Sequence, residues 1–471
     1  MRIKVCEKLK IENPTPAIIS WCRENLVLDN PEYYKRERMG KWTGNIPRDI
    51  CLYEQVGNEL WLPFGCLRDI WKLCVRGVPW DIQIGDLRHL KYTSSINPYP
   101  YQEKAVQEGL RLKNGILVMP CGAGKTVCGL EVISRVGGRA LWLTHTQDLL
   151  NQSKKRAESV LMCGDNGRSP AAFGFITGGK VAIGTHITFA TIQTLCKLDL
   201  SQYKDMWDII IVDECQHCAG SPTRVTQFYK VISQLSARYK IGLTATPKRA
   251  DGLEKSMFAL LGGIIYEVKK EDVAHTTCPI KVSQIPTGWY PDCECVLMGD
   301  GTIDYSKVID NMIHDEERFN VVFNKLASLP RCEPIIVLAN RVELLQKLCD
   351  EYNHNQIGDG VCISGGSNNK RAKEERKKAL EALNSGEIDC IFATYQLAKE
   401  GLDVPNLRYV VFATPEKDET TVVQSVGRVG RKADGKEYGM VIDFVDDFGM
   451  YKGWAKKRVG YYKKINAEIL G

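Results

Sequence analysis

The stretch GILVMPCGAGKTVCGLEVISRV, residues 115–136, joins an apolar strand to a glycine-rich loop and then to a helix-like segment. The glycines let backbone N–H groups close around phosphates, and the positive end of the following helix strengthens that attraction. In such a loop Lys125 reaches the β- and γ-phosphates, and the Thr126 hydroxyl binds Mg²⁺. The strict pattern G-x-x-x-x-G-K-[ST] fails at its first position, Met119. The stretch predicts a nucleotide site, and the alternative is a glycine-rich turn without a ligand.

An acidic element follows 88 residues after Lys125, where the strand DIIIV runs into DECQH, residues 213–217. A carboxylate pair at the end of a buried strand suits a magnesium–nucleotide complex. Asp213 would hold the Mg²⁺ shell, and Glu214 would orient and deprotonate the attacking water. The alternative is a surface acidic pair that caps the next helix. Together the two elements predict hydrolysis of ATP or GTP.

Short apolar strands alternate with helix-length segments from about residue 115 onwards, which is typical of a parallel sheet with crossover helices. The alternation fades after Tyr266, passes through a stretch with several prolines, and then starts again. The chain therefore contains two α/β units of similar size. The predicted strands are GILVMP, RALWLT, AAFGFIT, VAIGT, DIIIVDE and KIGLTAT in the first unit, and PIIVLA, GVCISG, DCIFAT, RYVVFAT and YGMVIDF in the second.

The first 95 residues differ from the rest of the chain and favour a small α+β domain. The run DICLYEQVGNELWLPFG predicts a β-hairpin that turns at Gly57–Asn58. Tryptophans are frequent here. They either fill the core, which we favour, or stack on nucleic-acid bases. The tryptophans in question are Trp42, Trp61, Trp71 and Trp80.

The composition is that of an ordinary globular protein. The 471 residues predict about three domains, and 44% hydrophobic with 25% charged residues excludes a disordered, collagen-like or fibrous chain. The net charge of +6 suggests local basic strips. None of the 18 cysteines falls in a CxxC…CxxC array, and neither a membrane span nor a secretory signal is apparent. We expect a reduced, cytoplasmic protein.

A series of motifs in order gives the chain a resemblance to superfamily 2 helicases over roughly residues 96–445. The string MPCGAGKT is the form of the phosphate-binding loop in the branch that contains XPB and phage recombination helicases, and that form lacks the first glycine. The resemblance implies two tandem RecA-like parallel-sheet domains after the small α+β domain, with ATP and Mg²⁺ as cofactors. The further motif-like strings are PYPYQEKAV, LTHTQDLLNQ, TIQTL, LTATPKR, IIVLANRVELL, ATYQLAKEGLDVP and QSVGRVGR.

The resemblance also implies roles for individual residues. Besides Glu214 as the base, Arg428 and Arg431 are expected as arginine fingers that act on domain closure, and three apart on a helix they would share a face. The residues expected at the nucleotide are Gln102 (adenine), Gly122, Ala123, Gly124, Lys125, Thr126, Gly401, Asp403 and Gln424, with Thr126 and Asp213 also on Mg²⁺. The expected coupling residues are His217, Thr244 and Thr246, and the expected nucleic-acid contacts are Thr191, Gln193, Arg341 and Thr394.

A looser resemblance covers the N-terminal domain. NPEYYKRERMGKWTGNIPRDICLYE and ELWLPFGCL are similar to the N-terminal domain of phage-encoded, branch-migrating helicases of the UvsW-like type. This implies a domain that recognises the DNA substrate, in a bacterial cell or encoded by a phage. The expected domains are 1–95 (N-terminal accessory), 96–270 (first RecA-like), 271–310 (linker), 311–450 (second RecA-like) and 451–471 (basic tail).

Contacts with nucleic acid should be made mostly with phosphates, because a motor must not depend on sequence. Two basic strips are candidates, although solvated helix faces are the more frequent explanation. A zinc site at Cys293 and Cys295 is disfavoured because the four-ligand spacing is missing. The strips are residues 368–380 and the set Lys456, Lys457, Arg458, Lys463 and Lys464.

These patterns together predict an ATP-driven DNA helicase that remodels forked or branched DNA, as in branch migration, during replication, recombination or repair. DNA is favoured over RNA only through the family branch. One alternative is an RNA helicase or double-strand translocase with the same motor. Another is a nucleic-acid-binding module in which ATP serves only as a switch.

Overall fold

The computed structural model describes residues 1–120, 122–164, 172–219, 221–247, 252–273, 277–292, 296, 303–363, 370–399, 404 and 406–470. The chain divides into two compact units, Met1–Asp272 and Val273–Gly471. Within the described ranges, no helix has both the length and the hydropathy that a membrane span requires.

The N-terminal part of the first unit consists of short strands and helices, namely β1 (Arg2–Val5), β2 (Lys8–Glu12), α1 (Pro16–Asn25), β3 (Val27–Asp29), α2 (Pro31–Arg38), β4 (Asp49–Cys51), β5 (Glu54–Val56), β6 (Glu59–Pro63), α3 (Leu67–Leu73), β7 (Trp80–Ile82) and β8 (Tyr92–Ser94). Five of these strands form a sheet in the order β5-β6-β2-β1-β7. The predicted hairpin is confirmed as the antiparallel pair β5–β6. Its turn residue Gly57 has the positive φ (58°) that a tight two-residue turn requires.

The rest of the first unit alternates strands and helices, namely α4 (Pro100–Leu112), β9 (Asn114–Val118), α5 (Lys125–Val136), β10 (Ala140–Thr144), α6 (Gln147–Val160), β11 (Leu161–Cys163), β12 (Phe173–Thr177), β13 (Lys180–Ala182), β14 (Ile187–Thr191), α7 (Ile192–Leu195), β15 (Ile209–Asp213), α8 (Pro222–Ile232), β16 (Tyr239–Thr244), α9 (Glu254–Leu261), β17 (Ile264–Glu267) and α10 (Lys270–Val273). Its sheet has the order β13-β12-β14-β10-β15-β16-β9-β17. All pairings are parallel except that of β12 with β13. Strands β9, β10, β14 and β15 are buried at every position, as expected when helices cover both faces.

Two strand predictions for this sheet are wrong. The segment VAIGT does not form a parallel strand, since only its start belongs to β13, which pairs antiparallel with β12 at the edge. The fully buried strand β14 was not predicted, because threonines interrupt its apolar pattern. Thr188 Oγ1 accepts the Gly184 N–H (3.1 Å), and Thr191 Oγ1 bonds with Thr194 Oγ1 (3.0 Å), so these polar groups are satisfied inside the fold.

The second unit repeats the α/β architecture with β18 (Ile280–Pro286), α11 (Tyr305–His314), α12 (Glu316–Ala327), β19 (Ile335–Ala339), α13 (Val342–His354), β20 (Gly360–Ile363), α14 (Lys370–Ser385), β21 (Cys390–Thr394), α15 (Tyr395–Lys399), β22 (Tyr409–Phe412), α16 (Glu419–Val429), β23 (Gly439–Val445), α17 (Gly449–Lys464) and β24 (Glu468–Leu470). Its seven strands lie in the order β20-β21-β19-β22-β23-β18-β24, all pairings parallel. The two parallel sheets confirm the predicted fold class, two RecA-like domains after a small α+β domain.

The predicted linker and tail differ from what the structure shows. Strand β18 lies in the expected linker, yet it pairs with β23 from Ile280↔Gly439 to Pro286↔Val445. The expected tail contributes α17 and β24, and β24 pairs with β18. Both segments complete the second sheet, in which β18 lies between β23 and the edge strand β24. Neither strand was predicted, because both stand apart from the α/β alternation of the sequence.

The predicted basic strip on the C-terminal helix also needs correction. Arg458 is 1% exposed and forms a two-pronged ion pair with Asp443, with N–O distances of 2.7 and 3.1 Å. Lys456 and Lys457 are exposed, so they remain candidates for phosphate contact. In the other strip, Arg376 is buried as well. The spacing of basic residues along a predicted helix could not show which of them are buried and which are solvated.

The N-terminal strands share one hydrophobic core with the first parallel sheet. Side chains from Ile3, Leu9 and Leu62 pack in the same cluster as Ala219 and Val225, which belong to the RecA-like part. The prediction that tryptophans fill this core is wrong for two of them: Trp42 is 81% exposed and Trp71 is 67% exposed. The N-terminal domain is therefore docked on the first RecA-like domain, while part of its aromatic surface faces solvent.

Candidate functional site

The glycine-rich loop lies between β9 and α5, at the carboxyl end of the first parallel sheet. The Met119 N–H donates to the Thr244 carbonyl (2.8 Å), which ties the start of the loop to strand β16. Gly122 and Gly124 have φ values of +82° and +80°, a conformation that glycine adopts without strain. Gly124 is also the N-cap of α5 and offers no side chain to the N–H groups of the first turn. Those N–H groups and the positive helix end suit a phosphate.

Gln102 is buried beside this loop and uses both ends of its amide within the protein. Its Nε2 donates to the Ala123 carbonyl (2.9 Å), and its Oε1 accepts from the Tyr99 N–H (2.9 Å). A Cβ at Gly124 would collide with the same Nε2, so the side chain fills the space that the glycine leaves. Gln102 therefore holds the loop in shape, and its contact with adenine stays a prediction.

Two carboxylates and a lysine meet beside the loop. Asp213 ends β15, and Glu214 follows it with a φ of +49°, a conformation that costs a non-glycine residue about 1–3 kcal/mol. Asp213 Oδ1 accepts the Glu214 N–H (3.0 Å), and its Oδ2 accepts from the Ser153 hydroxyl (3.2 Å). Lys125 Nζ lies 3.4 Å from Glu214 Oε1. The chain thus brings together the three groups that the sequence singled out.

The electrostatics of this cluster differ between the two carboxylates. Burial and the neighbouring Glu214 carboxylate raise the pKa of Asp213 to about 6. Burial acts on Glu214 in the same direction, but the Lys125 ammonium and the Gln216 amide outweigh it and hold its pKa below the usual value. Two buried carboxylates against one ammonium leave an excess of negative charge. Such a donor set, next to a phosphate-binding loop, fits a magnesium–nucleotide complex.

A chain of hydrogen bonds leads away from the carboxylates towards strand β16. Gln216 Nε2 donates to Glu214 Oε2 (2.8 Å), and Gln216 Oε1 accepts from the Thr244 hydroxyl (2.6 Å). Thr244 Oγ1 in turn accepts the Thr246 N–H (3.0 Å). The side chains form one connected path from Glu214 to the LTAT segment.

A second connection joins the DECQH segment to the segments expected to touch nucleic acid. The rings of His217 and His145 stack with centroids 3.5 Å apart and an interplanar angle of 28°. Gln193 Nε2 donates to the His145 carbonyl (2.7 Å). Thr191 is buried and bonds with Thr194, so Thr191 and Gln193 both support neighbouring parts of the protein. Their contact with a nucleic-acid strand stays a prediction.

In the second unit the expected arginine pair does not lie on one helix. Arg428 is in the last turn of α16, which ends at Val429. Arg431 lies beyond this end, where it forms an isolated antiparallel bridge with Thr277. The expectation of a shared helical face is therefore wrong, because Gly430 caps the helix before Arg431 is reached.

Other expected residues of the second unit have varied positions. Gln424 lies within α16, and among the described residues its buried Oε1 has no hydrogen-bond partner, so it can accept from a ligand. Thr394 ends β21. Arg341 pairs with Asp310 (3.1 Å) and is about one-third exposed. Gly401, Asp403, Cys293 and Cys295 lie outside the described residues.

Three residues of this arrangement were missed from the sequence. Gln216 and His145 lie inside the strings DECQH and LTHTQDLLNQ, and Ser153 follows the latter by one residue. Their positions in the motifs were the available signal. Their residue types did not reveal that Ser153 faces Asp213 or that the two imidazoles stack, since both contacts join segments at least 60 residues apart.

Two family models match the chain. Residues 95–249 match the family described as the type III restriction enzyme, res subunit, and residues 318–433 match the helicase conserved C-terminal domain. The first range holds the glycine-rich loop and both carboxylates, and the second holds Arg428 and Arg431. The two ranges lie in different units, in the order that the motif series predicts.

Curated relatives point to the same class of protein. A protein of Acanthamoeba polyphaga mimivirus named as an ATP-dependent RNA helicase is 26% identical over 81% of this chain and 70% of its own. The DNA 3'-5' translocase XPB2 of Sulfurisphaera tokodaii is 26% identical over 71% of this chain and 78% of its own. A protein of Escherichia phage T5 named as a helicase is 24% identical over 73% of this chain and 70% of its own.

Proposed function

Since this chain is an ATP-hydrolysing helicase of superfamily 2, similar to XPB and to phage helicases, we propose that it is a DNA motor that unwinds or remodels forked and branched DNA. Branch migration in replication, recombination or repair is the proposed process, in the cytoplasm of a bacterial cell and with a phage as the favoured source. The observation that supports a motor most directly is the connected path from Lys125 and Glu214 through Gln216 to Thr244.

In this proposal the first unit binds the nucleotide. Lys125 and the N–H groups of the first turn of α5 bind phosphate oxygens, while Thr126 and Asp213 hold Mg²⁺. Bound Mg²⁺ neutralises charge on the phosphates. Glu214 is ionised at neutral pH because Lys125 lowers its pKa, so it can accept a proton from the attacking water. Its strained backbone, held by Asp213, fixes the direction of that carboxylate.

The remaining roles follow the motif series. Arg428 and Arg431 are proposed to stabilise the charge that develops on the γ-phosphoryl group. Gln424 is proposed to accept a hydrogen bond from the nucleotide through its buried oxygen. Changes at Glu214 would then pass to the strand-binding segments along the Gln216–Thr244 path and the imidazole stack.

DNA is proposed as the substrate because the XPB2 relative is named as a DNA translocase. RNA is the second candidate, since the mimivirus relative of equal identity is named as an RNA helicase. A double-strand translocase would use the same residues in the same way. The nucleotide site therefore does not distinguish a DNA helicase from an RNA helicase or a double-strand translocase, so the experiment must distinguish them.

The test is the steady-state ATPase rate with no nucleic acid, single-stranded DNA, forked DNA, a four-way junction and matched RNA. We expect the highest rate with branched DNA and strand displacement on the same substrates. Lys125→Ala is the control for contaminating ATPase. Equal stimulation by RNA would overturn the DNA assignment, and no stimulation by any nucleic acid would favour an ATP-operated switch.

A further inference from the structure

An 18-residue excursion projects from the N-terminal domain between the paired strands β3 and β4. It runs from residue 31 to residue 48 and contains α2 and the loop that follows; we call it the Trp42 excursion. Its neck is closed where Asp29 pairs with Asp49 and the Asn30 N–H donates to the Arg48 carbonyl (2.9 Å). Asn30 Nδ2 adds a bond to the Pro47 carbonyl (2.8 Å). The excursion is therefore anchored at its base.

Beyond the neck the excursion has no core. None of residues 31–48 is buried, and helix α2 buries no side chain. Arg48 Nε donates to the Tyr34 hydroxyl (2.9 Å), which braces the helix against the returning chain. An 8-residue helix without a buried face contributes little to the stability of the fold. The sequence of this helix is therefore not explained by a requirement of folding.

The tip of the excursion carries an exposed indole. Trp42 is 81% exposed, and Met39 beside it is 54% exposed. The indole lies against Gly44, where a Cβ would collide with the ring. Gly44 has a φ of +46°, which further restricts the position to glycine. One part of the ring is thus held by the loop while most of its surface faces solvent.

Cations lie near this indole in the sequence. The excursion holds five basic and two acidic side chains, a net charge of +3. Glu32 is paired with Arg36 (3.2 Å). Lys35, Arg38 and Lys41 are exposed and form neither an ion pair nor a side-chain hydrogen bond within the part of the chain that the structure describes. An exposed aromatic ring among unpaired cations matches a base flanked by phosphates.

We propose that the Trp42 excursion binds the point where duplex and single strand meet, with Trp42 stacked on the first unpaired base and Lys35, Arg38 and Lys41 on the adjacent phosphates. Stacking needs a base whose face is accessible, and a fork or branch point provides one while an intact duplex does not. The inference rests on the proposed function and adds the residues that would recognise the junction.

The first experiment measures Kd by fluorescence anisotropy, without ATP, for forked DNA, single-stranded DNA and blunt duplex of matched length. Trp42→Ala is expected to weaken fork binding by about 5- to 150-fold, the range for loss of one base stack, while Trp42→Phe retains most of the affinity. Trp71→Ala is the matched control, since Trp71 is another exposed tryptophan of the same domain. Because no residue of the excursion is buried, these variants should fold, which thermal melts will check.

A second readout separates stacking from charge. 2-Aminopurine at the first unpaired position should be quenched by the wild type and by Trp71→Ala, but much less by Trp42→Ala. Replacing Lys35, Arg38 and Lys41 by glutamine should instead reduce the salt dependence of fork binding, by about 0.9 in slope for each lost phosphate contact. Quenching by the wild type that Trp42→Ala fully retains would overturn the stacking.

The two proposals fail in different ways. If the wild type prefers forks and Trp42→Ala prefers them equally, the inference is wrong and the proposed function stands. If the wild type binds no fork in preference to single strand or duplex, the proposed substrate is wrong and the inference falls with it. ATPase stimulation by single-stranded DNA should be unchanged in Trp42→Ala, and a parallel loss there would also contradict a junction-specific role.

Discussion

The two α/β units both bury carboxylates towards the carboxyl end of the parallel sheet, but they balance the charge differently. In the second unit Asp443 is paired with Arg458 and Asp446 with Arg318, both at 2.7 Å, and all four side chains are at most 1% exposed. Among the described residues of the first unit no arginine forms an ion pair with Asp213, and Lys125 lies beside Glu214 at 3.4 Å. The same edge of the fold thus holds a balanced set of charges in one unit and an unbalanced set in the other.

This difference separates structural carboxylates from those available to a ligand. A buried carboxylate with a permanent guanidinium partner is satisfied, and Tyr462 and Thr287 complete the hydrogen bonding of the two in the second unit. The carboxylates of the first unit lie beside a single lysine, and burial together with the Glu214 carboxylate raises the pKa of Asp213 to about 6. In the proposed function, a bound magnesium–nucleotide complex would supply the counter-charge.

We expect the largest effect on activity from removing a charge of the unbalanced set in the first unit, which consists of Asp213, Glu214 and Lys125. Glu214→Gln is expected to lower DNA-stimulated ATPase by about 10²- to 10⁴-fold, because the base is lost, while ATP and DNA still bind. Steady-state hydrolysis and binding of a fluorescent nucleotide measure the two properties. Glu158→Gln, at an exposed glutamate of the same unit, is the control and should behave as wild type. Retained hydrolysis in Glu214→Gln would remove Glu214 from the mechanism.

In the balanced set of the second unit, the pairs Asp443–Arg458 and Asp446–Arg318, we expect a substitution to lower the stability of the fold. Arg458→Gln leaves the buried Asp443 carboxylate unpaired, and we expect the second unit to lose about 3–5 kcal/mol of unfolding free energy. Calorimetry of the full chain, in which the two units can melt separately, measures the change. Lys457→Gln, the exposed neighbour on α17, should leave the melt unchanged. A stable Arg458→Gln protein with lost ATPase would place this pair in the catalytic site instead.

A buried lysine outside the candidate site tests whether a buried charge must have a functional role. Lys240 lies in β16, fully buried, with hydrogen bonds to the Ile232 (3.2 Å) and Glu7 (3.4 Å) carbonyls, and burial lowers its pKa to about 7. The unfolded chain therefore binds more protons than the folded one between about pH 7 and 10.5, so stability rises with pH across that window and the penalty is complete below it.

We expect unfolding free energy of the first unit to rise by about 1–3 kcal/mol from pH 7 to pH 9 relative to Lys240→Met, in which this contribution is absent. Denaturant titrations at both pH values measure it. The exposed Lys180→Met is the control. Identical pH dependence in Lys240→Met and wild type would show that Lys240 is protonated throughout.

The smallest expected effect concerns the imidazole stack. His145→Ala should leave ATPase without nucleic acid unchanged but reduce its stimulation by single-stranded DNA about 2- to 30-fold, the range for loss of one coupling contact. His186→Ala, at a buried histidine edge-on to Tyr92 in the same unit, is the control. If His145→Ala lowers the basal and the stimulated rate equally, the stack supports the nucleotide site rather than its connection to the strand.

Much of the fold could be predicted because local patterns in short segments of sequence specify it. The glycine-rich loop, the DECQH strand end and most of the strands lie within runs of five to ten residues whose pattern shows their structure. Strands β14, β18 and β24 could not be predicted in this way. The threonines of β14 are satisfied by partners that the pattern does not name, whereas β18 lies between β23 and β24 and pairs with both across more than 150 residues.

The sequence by itself determined the α/β class, the order of the motifs and the residues of the proposed nucleotide site, because these depend on local spacing. Only the tertiary structure decided which charged groups are balanced. Arg458 and Lys457 are adjacent on one helix, yet one is buried against Asp443 and the other is exposed. Likewise Trp42 is exposed, although the frequency of tryptophans in the N-terminal domain suggested a core residue. Burial and charge pairing depend on neighbours that are distant in the chain, so they appear only when the chain is folded.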